Sequence, residues 1–211
     1  MQQLLQKALS ELGLACNNKQ QEQLLSYVKL LQKWNKAYNL TAIRDEREIF
    51  IKHIFDSLSI AKHIKGNRIL DLGTGAGLPG IPLAILFPDK KFVLLDTNGK
   101  KTRFLLQVKL WVGLDNVDVI HARAEEYQTN QKFDVITVRA VGKISNFLWA
   151  FEKLLKPNGE LLLMKGVYPE VEMKHINYEL SVYNIQVPFL KAARHLVCLK
   201  RDKSEQDHIS N

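Results

Sequence analysis

Two acids and a run of glycines carry the chemistry that can be read from this chain. The stretch Arg68-Ile69-Leu70-Asp71-Leu72-Gly73-Thr74-Gly75-Ala76-Gly77-Leu78-Pro79-Gly80 begins with an apolar run over 69–72 and breaks into four glycines before a new apolar segment opens at Ile81. That order is a buried strand, a tight turn and a helix start. Glycines at 73, 75 and 77 permit positive φ and a close approach of backbone to a ligand. Pro79 and Pro82 suit the first turn of a helix, whose unpaired N–H groups would face whatever lies over the turn. A second apolar strand, Lys91-Phe92-Val93-Leu94-Leu95, ends in Asp96, twenty-five residues after Asp71. In a parallel sheet both strand ends lie on one carboxyl edge, so Asp96 is placed to accept hydrogen bonds from the hydroxyls of a ribose.

The spacing bears on which nucleotide-like ligand fits. A dinucleotide fingerprint can be drawn through Gly75, Gly77 and Gly80, and a nicotinamide-dependent oxidoreductase follows from it. Against this stands Asp71, an acid at the strand end that would repel a pyrophosphate and suits a cationic donor such as S-adenosylmethionine. The residues favour the methyl donor. A turn with no ligand is the bland alternative, and a non-catalytic RNA-binding module is the third.

The target of such a transfer is narrowed by what is missing. Attack at pyrimidine C5 requires a cysteine nucleophile, and neither Cys16 nor Cys198 lies near a strand end of the crevice. Exocyclic amines usually go with an Asp/Asn-Pro-Pro-aromatic element after the fourth strand, where this chain has Val138-Arg139-Ala140. A purine N7 already carries an in-plane lone pair, so alignment alone can supply about 7–11 kcal/mol of the barrier. Ribose hydroxyls and protein groups stay open on this argument.

The elements that must hold these residues form one α/β unit with an appendage, as 211 residues allow. Residues 1–64 read as a helical cap: Leu4, Leu5, Ala8, Leu9 and Leu12 recur at helical spacing, as do Leu24, Val28, Leu31 and Trp34. A third helix opens at Asp45 with Glu48 three residues on, carries His53 on its apolar face as a satisfied core histidine, and runs on until Gly66 stops the segment. From 65 to 201 strands and helices alternate. Asn98 caps a helix stopped by Gly113, Lys156-Pro157-Asn158-Gly159 is a turn, and Leu180 to Val187 with His195 to Leu199 close an antiparallel hairpin. The expectation is a doubly wound, mostly parallel sheet of Rossmann-like topology, followed by a polar tail over 202–211.

The net charge of +8 points to a polyanionic partner, and nucleic acid is the usual one. Lys29, Lys33, Lys36, Arg44 and Arg47 on the cap, Lys100, Lys101 and Arg103 by the crevice, and Lys165 and Arg194 are candidate phosphate contacts or solvated cations. No apolar run reaches the length of a membrane span, and a cytosolic chain with reduced thiols is expected. Metal-ligand spacing is absent, and so is an N-terminal secretory signal pattern.

Leu70-Asp71-Leu72-Gly73-Thr74-Gly75-Ala76-Gly77-Leu78-Pro79-Gly80-Ile81-Pro82, Leu95-Asp96-Thr97-Asn98-Gly99-Lys100-Lys101, Val138-Arg139-Ala140 and Arg194-His195-Leu196-Val197 together resemble the bacterial small-subunit ribosomal RNA guanine-N7 methyltransferases, also called the glucose-inhibited division protein B family. Trp34-Asn35-Lys36-Ala37-Tyr38-Asn39-Leu40-Thr41 and His53-Ile54-Phe55-Asp56-Ser57 resemble its N-terminal half, so the likeness runs from the first helices to about Lys200. It implies a class I S-adenosylmethionine-dependent fold. It implies methylation of N7 of a guanine in 16S rRNA, guanine 527 as the family is described, in the decoding-region loop of the small subunit. A monomer is expected, although the sequence itself does not give the oligomeric state. By position the resemblance places Gly73, Gly75 and Leu78 on the donor in the first turn, Asp96 on its ribose, Ala124 and Glu125 beside its adenine, and Arg139 next to it at the fourth strand's end. Arg139 could orient donor or guanine, or pair with a neighbouring acid. Val138 stands where the family pattern leads one to expect Ser.

Overall fold

A computed structural model describes residues 1–139, 142–174, 176 and 178–201; the polar tail and Ala140 lie outside the described residues. Seven strands form one sheet: β1 Arg68–Leu72, β2 Lys91–Asp96, β3 Val117–His121, β4 Phe133–Arg139, β5 Leu155–Lys165, β6 Glu179–Asn184 and β7 His195–Lys200, in the order β3-β2-β1-β4-β5-β7-β6. The first five are parallel, and β7 runs antiparallel to both β5 and β6, so the expected doubly wound sheet with an antiparallel edge is present. Strand β1 lies between β2 and β4, which makes its carboxyl end the point where the strand order reverses and a crevice opens.

The helices are α1 Gln2–Leu12, α2 Asn18–Tyr38, α3 Glu46–Ile49, α4 Asp56–Leu58, α5 Gly80–Leu86, α6 Gly99–Val112, α7 Leu148–Leu154 and α8 Glu170–Met173. Local chemistry sets their ends. Asn17 and Gln20 cap α2 reciprocally, each side chain accepting from the other's backbone N–H at 2.9 Å. Asn98 caps α6 through the amides of Lys100 and Lys101, and Gly113 closes it in the left-handed conformation, as its position predicts. The third helix is less regular than expected. Asp45 caps α3, but Phe50–Phe55 is a π-helical segment joining α3 to α4, and Gly66 follows a short 3₁₀ turn over Ala61–His63. The Lys156-Pro157-Asn158-Gly159 turn is also absorbed. It lies inside β5 as a bulge, where the register against β4 jumps from Phe133↔Leu155 to Val135↔Glu160.

Alternation along the strands divides the core between two faces. Ile69, Phe92, Leu94, Val135 and Leu162 pack with α1, α2, α5 and α6, whereas Leu70, Val93, Leu95, Ile136 and Leu163 pack with α7. The helical cap shares the first of these cores. Phe104 on α6 is fully buried with its ring 6.4 Å from Tyr27 and 5.6 Å from Trp34, both on α2. Burying a ring of that size contributes about 1.5–3 kcal/mol.

The cap also satisfies polar groups of the sheet domain. Gln20 donates to the carbonyls of Ile85 and Leu86 at the end of α5, and Gln23 to that of Val112 at the end of α6. These oxygens have no partner within their own helices. Tyr27 donates its hydroxyl to the Ala76 carbonyl at 2.8 Å, in the glycine turn. Both residues are buried. Tyr27→Phe keeps the ring and orphans that carbonyl, and is expected to cost about 1–2 kcal/mol in urea unfolding with an unchanged m-value. A loss below about 0.3 kcal/mol would separate the cap from the turn.

Candidate active site

The glycine turn is held from beneath by one carboxylate. Asp71 is wholly buried; its Oδ2 accepts from the Thr74 hydroxyl at 2.5 Å and the Gly80 amide at 2.8 Å, and its Oδ1 from the Thr137 hydroxyl at 3.1 Å. Thr137 reaches it because the parallel register sets Thr137 beside Asp71. The expectation that Asp71 selects a cationic ligand by facing it is therefore corrected: the side chain points into the protein and fastens the turn. Burial pushes its carboxyl up to about 6, against the opposing pull of the Thr74 hydrogen bond.

The start of α5 is corrected with it. The Gly80 amide goes to Asp71 and that of Ile81 to the Gly77 carbonyl at 2.8 Å, while Pro82 has no N–H and all of α5 is buried. No amide of that first turn is aimed at a pyrophosphate, which removes the geometric basis of the dinucleotide reading. The glycines divide in the same way. Gly77 has φ +96°, and a Cβ there would stand 2.5 Å from Ile81 Cγ1 and 2.8 Å from Leu105 Cδ2, so the chain itself demands it. Over Gly73, φ +68°, a Cβ would meet nothing within 4 Å. That is an open cradle.

Above the turn lies a cleft of about 260 Å³, lined by Gly73, Gly75 and Leu78 with Lys101 beside Gly75 on one side, and by Thr41, His53 and Arg139 on the other. Asp96 does not itself line the cleft but borders it through Gly75, its Oδ2 accepting from the Gly75 amide and its Oδ1 from the Asn98 amide, both at 2.8 Å. Lys101 Nζ stands 3.9 Å from the same carboxylate. Each Asp96 oxygen keeps a lone pair for a further donor. Gly73, Gly75, Leu78, Asp96 and Arg139 are thus brought together. Ala124 and Glu125 sit on a 3₁₀ turn after β3, beyond His121, the register neighbour of Asp96, and neither lines this cleft.

The opposite wall is a network that sequence reasoning only half found. Arg139 donates from Nη1 to Asp56 Oδ2 at 3.1 Å and to the Lys52 carbonyl at 3.2 Å, and from Nη2 to His53 Nδ1 at 2.9 Å. Arg194 reaches the other oxygen of Asp56 at 3.0 Å. A guanidinium can only donate, so His53 Nδ1 must accept although it also lies 3.1 Å from the Lys52 carbonyl; the ring proton belongs on Nε2, 2.8 Å from Thr41 Oγ1. Burial first, then the charge of Arg139, lowers His53 to about 4, so its imidazole is neutral near pH 7. His53 is satisfied, as expected of a core histidine, and it also faces the cleft. Arg139 has the ion pair with a neighbouring acid and a place in the wall at once. Asp56 went unremarked as a site residue. Its signal was a lone acid in an apolar helical run, Ile54-Phe55-Asp56-Ser57-Leu58.

Other candidates are placed differently. Lys165 is buried and bound to Glu172 at 2.6 Å and to the Gly142 carbonyl at 2.9 Å, and Arg194 serves Asp56, so neither is free for phosphate. Lys100 and Arg103 are exposed beside the crevice. Cys16 and Cys198 are unpaired thiols away from the cleft, pushed by burial up to about 11 and about 12.

Asp71 and His53 titrate in opposite senses across one window. Folded Asp71 holds its proton to about pH 6, against 3.8 ordinarily, so its contribution to stability falls as pH rises from about 4 to 6. Folded His53 refuses a proton down to about pH 4, against 6.5 ordinarily, so its contribution rises with pH from about 4 to 6.5. Between pH 4 and 6 the two largely cancel. Difference curves of stability against pH are expected to show this: relative to wild type, Asp71→Asn loses stability on acidification through that window and His53→Gln gains it. Parallel curves for all three proteins would contradict the assignment.

Comparison with known proteins agrees with this geometry. A family model described as GidB, rRNA small subunit methyltransferase G, matches residues 20–197. A Nitrosococcus oceani protein named Ribosomal RNA small subunit methyltransferase G is 46% identical over 208 residues, covering 97% of each chain. One of the same name from Marinobacter nauticus is 47% identical over 200 residues, covering 93% of this chain and 94% of its own. Among solved structures, a SAM-dependent methyltransferase from Aquifex aeolicus superposes with a TM-score of 0.56 at 18% identity, over 72% of this chain and 92% of its own, a likeness of fold. The carboxyl-edge cleft, the buried acid beneath its glycine turn and the match along nearly the whole chain lead to one conclusion: the chain belongs to the GidB family, the rRNA small subunit methyltransferases G.

Proposed function

We propose that this chain methylates N7 of a guanine in 16S rRNA, guanine 527 in the family's description, with S-adenosylmethionine as donor and the RNA presented in the small ribosomal subunit. The donor supplies an electrophilic methyl on a sulfonium; everything else is arrangement. The observation that carries the reading is the open cradle over Gly73 with the Asp96 carboxylate at its edge, which fits an adenosyl ligand's ribose beside the turn. Gly73, Gly75 and Leu78 hold the donor against the turn, Asp96 accepts from its ribose hydroxyls, and Ala124 and Glu125 border the adenine from the end of β3.

Arg139 is anchored by Asp56 before any ligand arrives, so its remaining N–H donors lose little entropy on meeting the donor's carboxylate or a guanine oxygen. His53, neutral, adds no second charge to that wall. An N7 lone pair needs no base, and the described cleft offers no thiol nucleophile. The task left to the protein is alignment of lone pair, methyl and sulfur. With rRNA as its substrate the activity belongs in the cytoplasm, carried out by a monomer.

Labelled donor supplied with naked 16S rRNA, isolated small subunits and whole ribosomes tests the reading. Transfer to a guanine N7 in small-subunit RNA is expected, falling steeply as salt rises because bound counterions are released. Asp96→Ala is expected to weaken S-adenosylhomocysteine about tenfold to a hundredfold, the range for a lost hydrogen bond to a charged group, and to collapse methylation. Full methylation by Asp96→Ala, or stabilisation by a nicotinamide dinucleotide in place of the adenosyl ligand, would sink it.

A further inference from the structure

The chain's positive charge is concentrated on two neighbouring helices. Between them, α2 and α6 carry eight lysines and arginines and a single acid, Glu22. They run antiparallel, with Trp34 against Phe104 at one end and the Gln23 side chain on the Val112 carbonyl at the other. A groove of about 600 Å³ lies between them, lined by Ser26, Lys29, Lys33, Trp34, Gln107 and Trp111. Lys29 and Lys33 are exposed, and Trp111 leaves 69% of its surface in water. Lys109, next to it, already pairs with Asp118 at 3.4 Å. The groove points toward the cleft: the Trp34 ring stacks at 5.1 Å on Tyr38, which is 45% exposed, and two residues later Leu40 and Thr41 line the cleft, with Lys101 on the first turn of α6.

We propose that this α2/α6 groove is the track for single-stranded RNA flanking the target nucleotide, with Lys29 and Lys33 on its phosphates and the exposed Trp111 ring stacked on an unpaired base. The inference rests on the reading of rRNA as substrate and extends it to a surface outside the donor cleft. A large, wet indole near Lys29 and Lys33, which have no ion pair among the described residues, suits a polyanion that also offers flat π faces, since stacking is indifferent to base identity while the lysines follow the backbone. A duplex keeps its base faces inside and leaves Trp111 unused. A second copy of this chain is disfavoured by charge, because a two-fold contact would bring the same basic helices face to face.

The test uses the full-length protein and a fluorescein-labelled RNA of about a dozen nucleotides, single-stranded or annealed to its complement, with anisotropy read over a range of salt. For Lys29→Gln with Lys33→Gln, the slope of log affinity against log salt on the single strand is expected to become shallower by about 1.4, two phosphate contacts. Trp111→Ala is expected to lose about fivefold or more on the single strand and nothing on the duplex. Both variants should keep S-adenosylhomocysteine affinity and melting temperature, and should raise KM for small-subunit rRNA at unchanged kcat. Unchanged slope and affinity in the variants overturns the track. So does a wild-type dimer in sedimentation that Trp111→Ala dissolves with RNA affinity intact, which assigns the groove to a second copy. A wild-type protein that binds the single strand through these residues yet methylates no rRNA leaves the track standing and overturns the functional reading.

Discussion

The structure depends on a carboxylate that no ligand touches. Asp71 ties four pieces of chain at one point: its own strand β1, the Thr74 hydroxyl within the turn, the first amide of α5 and the Thr137 hydroxyl on β4. Taking a carboxylate out of water is costly unless its lone pairs are filled. Here three donors occupy three of the four, and the remaining penalty appears as the raised proton affinity of the group. Gly80 shows how tightly the point is drawn: a Cβ there would stand 2.7 Å from Asp71 Oδ2 and also strike Leu94. A turn fixed from below holds its shape through the protein's own contacts, and the space above Gly73 stays open.

A second constraint comes from the far side of the cleft. The guanidinium of Arg139 would be free to swing were it not gripped by Asp56, the Lys52 carbonyl and His53. Burial pushes the Asp56 carboxyl above its usual value, while Arg139 and Arg194 pull it back. The cleft therefore has one wall made of backbone and another made of a largely buried ion cluster around Asp56. Each is held by several hydrogen bonds, which suits chemistry whose barrier is lowered mainly by alignment.

What could be read in the chain was what local rules govern. The strand, turn and helix around Asp71, the Asn98 cap, the Gly113 stop and the closing hairpin all rest on contacts within a few residues or on simple alternation. What could not be read was direction. Sequence spacing places Asp71 near the crevice but does not say which way its side chain points, and the Gly75-x-Gly77-x-x-Gly80 pattern looks like an anion site until the Gly80 amide is seen to be taken. Long-range pairs were equally hidden: Tyr27 with Ala76, Asp56 with Arg139 and Asp56 with Arg194 span 49, 83 and 138 residues. The bulge in β5 falls in the same class, since a Pro-Asn-Gly run reads as a turn unless the register of the neighbouring strand is known.

The side chains that α2 lends to the sheet carry a consequence for how such a molecule can be rebuilt. Gln20 and Gln23 finish helices they do not belong to, and Tyr27 props the loop under the cleft. Recombination that exchanged the first sixty or so residues for another recognition module would strip those groups away as well. The N-terminal helices are thus not an interchangeable adaptor fused to a self-sufficient engine, and a chimera would have to carry replacements for all three.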